Sequence, residues 1–413
     1  MKFTPRLLFS LVAIGIIAGL AGIGLSWLLH FIQHHAYGYG LTGAGEIPFR
    51  LGVEHAPPWR RVAALALCGL LVGVGWYLIK RRGAPLVSIK AALDKPRQGL
   101  PFLTTVCHSL LQIVTVGLGS PMGREVAPRE MSAAFASAWV RRLGMSETEA
   151  RLLIACASGA GLAAVYNVPL AAAVFTLETL LCVWSPTAVA AALLTSVVAT
   201  AVSRWGMGDL VQYHLIDASV NTALIGWALL MGPLIGAVVA LFRKTVAPLP
   251  LMRRDDPKII LVAVAAFLLI GLLAVYFPAV LGNGKAGNQL GFAGLLDGQS
   301  SLTLFAVKWL VVLLALAAGA YGGLITPSMM LGGMLALACA FGWNHMLPPL
   351  SVEAAALVGA AAFLAVSQKM PLTALVFVLE LTRVSGAFLM PMAVCVTGAL
   401  LANRWLTHKQ TAA

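Results

Sequence analysis

The sequence predicts an all-helical polytopic membrane protein made of two related halves, with tilted and half-membrane helices among its spans. Composition comes first: 60% of the 413 residues are hydrophobic and only 10% are charged, with a mean hydropathy of +0.90. A chain of that kind excludes an ordinary soluble domain. The second observation is internal. AGLAAVYNVPLAAAVFTLE at 160–178 aligns without gaps on AFLAVSQKMPLTALVFVLE at 362–380, an offset of 202 residues and close to half the chain.

At the N-terminus, MKFTPR followed by an apolar run from Leu7 to Ile32 imitates a secretion signal. The run is about twice as long as a signal core and no convincing cleavage site closes it, so it is read as the first span. Further apolar stretches fall near 62–79, 102–119, 131–140, 152–165, 168–183, 186–204, 222–242, 258–277, 302–318, 328–347, 354–366, 371–382 and 385–406. Several are well short of the roughly 20 residues that a perpendicular helix needs, which is why tilted, paired or half-membrane helices are expected. Polar connections at Tyr37 to Arg61, Gly206 to Asn221 and Asn283 to Ser301 are predicted as the main surface loops. They suggest a first half at 1–205, a connecting loop at 206–221 and a second half at 222–413.

The net charge of +13 raises nucleic acid as a partner, but the basic residues cluster between spans, at Lys80-Arg81-Arg82, Arg243-Lys244 and Arg253-Arg254. That pattern belongs to positive loops and lipid headgroups of a bilayer, and no nucleic-acid partner is expected. The six cysteines lie scattered in apolar stretches without CxxC or histidines at metal spacing. They read as small core residues, so neither a metal nor a cofactor is expected.

The segment that organises the rest is GLGSPMGREVAPREM, from Gly117 to Met131. Glycine and proline at membrane depth are tolerated where protein or a water-filled cavity surrounds them. What such a break offers is a helix start whose N–H groups and positive dipole end suit an anion. GREVAP at 123–128 faces GGLITP at 322–327 at nearly the same offset as the repeat, so each half carries a Gly-rich break ending in proline. Paired interrupted helices point to a transporter with its site between the repeats. The spans cannot be counted well enough to decide whether the halves run parallel or inverted.

Eleven of the fifteen acidic residues lie in loops or near span ends; the exceptions are Glu125, Glu130, Glu178 and Glu380. An ionisable group inside the membrane marks a functional site unless it is merely paired. Glu178 and Glu380 are repeat partners, each nine residues after a proline, and the plain reading is that both accept hydrogen bonds from a neighbouring helix end. Glu125 stands at the break itself. Desolvation there opposes the helix N-termini and nearby arginines, so it is placed to gain and lose a proton while competing with an anion. Its bland alternative is a salt bridge to Arg124 or Arg129. Thr326 brings a hydroxyl to the second break, as ligand or as helix cap. Neither HExxH nor a GxSG serine occurs, so an enzyme is not expected.

At these residues the chain resembles the CLC family of anion channels and anion/proton exchangers, from about Leu7 to Trp405. GREVAP is similar to the family's G-K/R-E-G-P motif, which puts Glu125 at the gating glutamate, and GGLITP is similar to G-x-F-x-P, which carries the anion-site role to Leu324, Ile325 and Thr326. The resemblance implies two inverted halves, a homodimer with one pore in each subunit, a multi-pass position in a bacterial inner membrane, and no cytoplasmic domain after the last span.

Four departures bear on the ion. Where chloride-handling members read G-S-G-I-P, this chain reads Gly83-Ala84-Pro85-Leu86-Val87, without the hydroxyl. Val126-Ala127 precedes the proline of the first motif, and Ile325-Thr326 replaces the Phe-containing pair. Thr179 stands where exchangers keep an inner proton glutamate. The family's C-terminal pore tyrosine has no match, Thr407 being the nearest equivalent. Together these resemble the fluoride-exporting branch, and they imply a fluoride/proton antiporter with Glu125 as gate and proton carrier. Its anion site would be drawn from Ala84, Pro85, Gly123, Arg124, Val126, Leu324, Ile325 and Thr326. A chloride-selective exchanger or channel is the alternative.

Overall fold

Residues 3–40, 48–217, 219–250 and 252–411, with side chains as far as Thr407, are described by a computed structural model. The apolar stretches fold as helices that begin where the sequence supplies caps. Thr4, Ser185, Asn221 and Ser351 each accept a backbone N–H three residues on, and Pro5 and Pro186 occupy first helical positions, where a missing N–H costs nothing. The first half holds α1 (Pro5–Tyr37), α2 (Phe49–His55), α3 (Pro58–Arg82), α4 (Ile89–Asp94), α5 (Phe102–Gly117), α6 (Val126–Leu143), α7 (Glu147–Tyr166), α8 (Pro169–Phe175) with a π-helical turn at Thr176–Leu181, and α9 (Pro186–Met207). The second holds α10 (Thr222–Val246), α11 (Lys258–Tyr276), α12 (Lys285–Phe292), α13 (Gly298–Ala317), α14 (Ile325–Asn344), α15 (Val352–Ser367), α16 (Pro371–Thr382) and α17 (Leu389–Thr411).

Among the described residues, nine helices are long and apolar enough to cross a membrane, while α5, α8, α15 and α16 are shorter. Two of the expected loops need correction. The stretch 37–61 contains α2, with 41–47 outside the described residues, and 283–301 contains α12 and the start of α13. Both short helices lack the long apolar period that marks a span. The stretch after α9 is instead extended and held down, with Gln212 N and Tyr213 N both donating to Leu381 O at 3.1 and 3.3 Å. Beside it, Asp209 is bonded by Arg383 and Asn167, and these contacts hold its carboxyl below the usual range.

The halves repeat each other in packing detail. In the first, Gly15 and Gly19 of α1 seat against Val198 and Val202 of α9; in the second, Gly232 and Gly236 of α10 seat against Cys395 and Ala399 of α17. A Cβ on Gly236 would stand 2.3 Å from the Ala399 carbonyl oxygen, so small residues four apart set these helix contacts as they do in other membrane bundles. Leucines and aromatics on the outward faces, among them Phe9, Trp27, Leu230, Leu261 and Trp405, are exposed and form the surface that lipid would cover.

Glu178 and Glu380 behave as reciprocal braces across the repeat. Glu178 accepts from Leu372 N and Thr373 N at 2.9 and 2.8 Å, at the start of α16; Glu380 accepts from Leu170 N and Ala171 N at 3.0 and 2.7 Å, at the start of α8. Each carboxylate thus satisfies N–H groups that a proline-led helix start leaves open. Replacing either by Gln should cost about 1.5–3 kcal/mol, the range for hydrogen bonds to a charged group. The expected result is an earlier thermal unfolding of the detergent-solubilised protein with ion movement retained.

Candidate functional site

Both Gly-rich breaks are buried and they meet. Gly123 N donates to Gly323 O at 2.7 Å and Gly323 N to Gly123 O at 2.8 Å, an isolated antiparallel bridge. The repeat partners are therefore related locally by a two-fold turn, and α6 and α14 start from the same point. Two helix N-termini aimed at one spot make a region of positive potential. The chain fills that spot with its own carboxylate: Glu125 is fully buried and its Oε1 accepts from Ile325 N, the first residue of α14, at 2.8 Å.

Glycine is required on both sides of this carboxylate. A Cβ on Gly323 would lie 1.8 Å from Glu125 Oε1, and one on Gly123 would lie 2.2 Å from Oε2. Oε2 accepts from the Tyr166 hydroxyl at 3.1 Å, and the same hydroxyl lies 2.8 Å from Thr326 Oγ1. Tyr166 and Thr326 are themselves buried, and the tyrosine ring packs edge-on against Phe377 of α16. A backbone N–H from α14 and a hydroxyl from α7 thus converge on one anionic group, with the Thr326 hydroxyl bonded behind the tyrosine.

The structure sorts the expected residues unevenly. Gly123, Ile325 and Thr326 stand at the carboxylate, and Val126 and Leu324 flank the helix starts as half-buried apolar neighbours. Arg124 does not. Its Nη2 donates to Val165 O at 3.2 Å and its guanidinium lies over the Tyr166 ring, so it positions the tyrosine. Arg129 lies over Phe175. Neither guanidinium makes a salt bridge with Glu125: one is bonded to Val165 O and the other stacks on Phe175.

Ala84 and Pro85 lie in an exposed turn, where Ala84 N donates to Thr104 Oγ1 at 3.1 Å. Thr407 is exposed on α17, with its hydroxyl bonded to the Asn403 and Arg404 carbonyls of its own helix. Thr179 donates to Phe175 O at 2.7 Å. The residue that sequence reasoning missed is Tyr166. It ends α7 within the repeated segment, and its repeat partner is Gln368; a bulky polar residue in a run of alanine and glycine was the available signal.

Fold and site together define a membrane protein in which two repeated halves present opposed helix starts to a buried carboxylate. The voltage-gated chloride channel family profile matches residues 68–404, and the chain belongs to that family. Relatives include the H(+)/Cl(-) exchange transporter ClcA of Yersinia pestis bv. Antiqua (strain Angola), 27% identical over 425 residues, covering 98% of this chain and 86% of the relative. That of Salmonella typhi is 26% identical over 430 residues, covering 98% and 87%.

Among solved structures, the fold matches a slow cyanobacterial Cl-/H+ antiporter with a TM-score of 0.84 at 19% identity, covering 98% of this chain and 96% of that one. It matches a CLC-type fluoride/proton antiporter with a TM-score of 0.68 at 21% identity, covering 98% of each. At these identities the structural likeness establishes the fold.

Proposed function

We propose that the chain exchanges a small halide for protons, that Glu125 alternately occupies the anion's place and carries the proton, and that the halide is fluoride. The observation that carries the exchange reading is the carboxylate bonded to Ile325 N and Tyr166 Oη between two helix starts. An anion entering there must displace it, and protonation removes the charge that holds it, so anion and proton compete for one seat. A bacterial inner membrane and a homodimer belong to the same reading, as do two halves at 1–205 and 222–413 joined by 206–221.

Fluoride is supported by the donors. It holds water tightly, so a site must return strong hydrogen bonds to bind it. Ile325 N–H and the hydroxyls of Tyr166 and Thr326 lie within one buried cluster, among the apolar side chains of Val126, Leu324 and Ile325. Chloride is the second reading, favoured by the curated relatives, which are named H(+)/Cl(-) exchange transporters, and by the TM-scores.

Efflux of each ion from vesicles holding the purified protein separates the two. Fluoride should leave faster than chloride, and Thr326→Val should lower that preference by about tenfold or more, the equivalent of one hydrogen bond to a charged group. Chloride efflux equal to or faster than fluoride in the unaltered protein would move it to the chloride reading.

A further inference from the structure

Outside the break, the membrane-embedded part of the chain holds a second titratable cluster that no step above uses. Thr105, His108, Ser109 and Gln112 recur along α5 at helical spacing and all are buried, so they form one polar face over about 10 Å of helix. His108 is the fixed point. Trp76 of α3 donates its Nε1–H to His108 Nδ1 at 2.8 Å, which leaves the proton of the neutral ring on Nε2. Nε2 lies 3.3 Å from Glu130 Oε2 on α6. Gln112 Nε2 donates to the same oxygen at 3.1 Å. Both partners hold Oε2, so Oε1 is the oxygen left to take up and release a proton.

The hydroxyls of Thr105, Ser109 and Ser120 and Oε1 of Gln112 are buried without a protein partner. Buried polar atoms are rarely left unbonded, and when protein does not satisfy them ordered water does. Four such atoms are spaced from the start of α5 to the break at Ser120, each a place where a bridging water would find a partner. At the start of α5, Thr104, next to Thr105 in sequence, accepts from Ala84 N of the exposed loop at 3.1 Å. At the other end, Ser120 lies three residues short of Gly123.

The other titratable and charged groups around the cluster are Tyr321, Arg254 and Arg129. Tyr321 packs edge-on against His108 with Arg254 stacked over its outer face, and Arg129 is turned to Phe175. From α1, Leu29 and Ile32 close the packing at Gly117.

We propose that this polar face, with Glu130 as its proton-carrying residue and His108 as the residue that positions it, is a proton path from the start of α5 to the segment bearing Glu125, separate from the anion's own seat. Each step passes one proton between water and Glu130 Oε1 and consumes nothing else. The inference rests on the antiport reading above.

The test measures proton and anion flux together in vesicles holding the full-length protein. Glu130→Gln should lower proton flux relative to anion flux by about a hundredfold, within the range by which a positioned acid–base group contributes, and Glu130→Asp should restore part of it. Ser109→Ala gives the independent arm. It removes an unpaired hydroxyl, so a purely structural brace predicts unchanged proton flux, whereas the path predicts a clear fall, and this arm decides the question if Glu130→Gln fails to fold. Wild-type proton-to-anion ratios in both variants overturn the proposal. A loss confined to Glu130→Gln assigns a structural brace and overturns it equally. Unaltered protein that moves anions without protons would instead overturn the antiport reading.

Discussion

Glu125→Gln is expected to abolish coupled proton movement, with proton flux falling by at least about a hundredfold, toward the vesicle leak, because the only proton-exchanging group at a transfer point is lost. The amide keeps the side chain's length, and its oxygen can still accept from Ile325 N, as Glu125 Oε1 does at 2.8 Å. What it loses is the charge that competes with an anion and the ability to release a proton. Internal pH recorded with a trapped dye, beside anion efflux, reads the result. The brace variant Glu178→Gln is the control, since the Glu178 carboxylate bonds Leu372 N and Thr373 N at the start of α16, away from the Gly-rich break. Coupled proton movement surviving in Glu125→Gln would falsify the role assigned to this residue.

The second large effect comes from a residue with no side chain. Gly323→Ala places a methyl group 1.8 Å from Glu125 Oε1 and 2.2 Å from its carboxyl carbon, distances that no rotamer shift of a methyl relieves. The carboxylate must leave, and it then loses its bond to Ile325 N. The bridge itself bonds through backbone N–H and C=O groups on both sides, so the break does not depend on the missing Cβ. The expected outcome is a protein that still passes anions but moves fewer protons with each, by about tenfold or more, once the competing carboxylate is gone from the seat. Gly24→Ala is the matched control, because a Cβ there meets nothing within 4 Å. Equal proton-to-anion ratios in the two alanine variants would contradict the seating of Glu125.

Much of this was legible from residue order because the informative residues break a local rule. Glycine, proline and charge inside an apolar run announced the break at Gly123–Pro128, and an exact spacing from proline announced Glu178 and Glu380. The spans followed from length and apolarity, which is enough where lipid forbids alternatives. What stayed hidden depends on contacts that distant parts of the chain make. The Gly123–Gly323 bridge joins residues far apart in sequence, and Tyr166 reaches Thr326 from the other half. The short helices α2 and α12 carry no long apolar period, and Ala84 and Pro85 gave no signal that they lie in an exposed turn. Arg124 adjoins Glu125 in sequence, but its guanidinium lies over the Tyr166 ring, a contact that residue order does not show.

The central claim, that one buried carboxylate couples an anion to a proton, is tested most directly by uphill movement. Vesicles loaded with fluoride, at equal pH inside and out and with the membrane potential clamped, are diluted into fluoride-free buffer. Fluoride leaving down its gradient should draw protons inward and acidify the lumen in the unaltered protein, and the Glu125→Gln variant should leave the pH flat. Fluoride efflux at full rate with no proton entry would contradict the account.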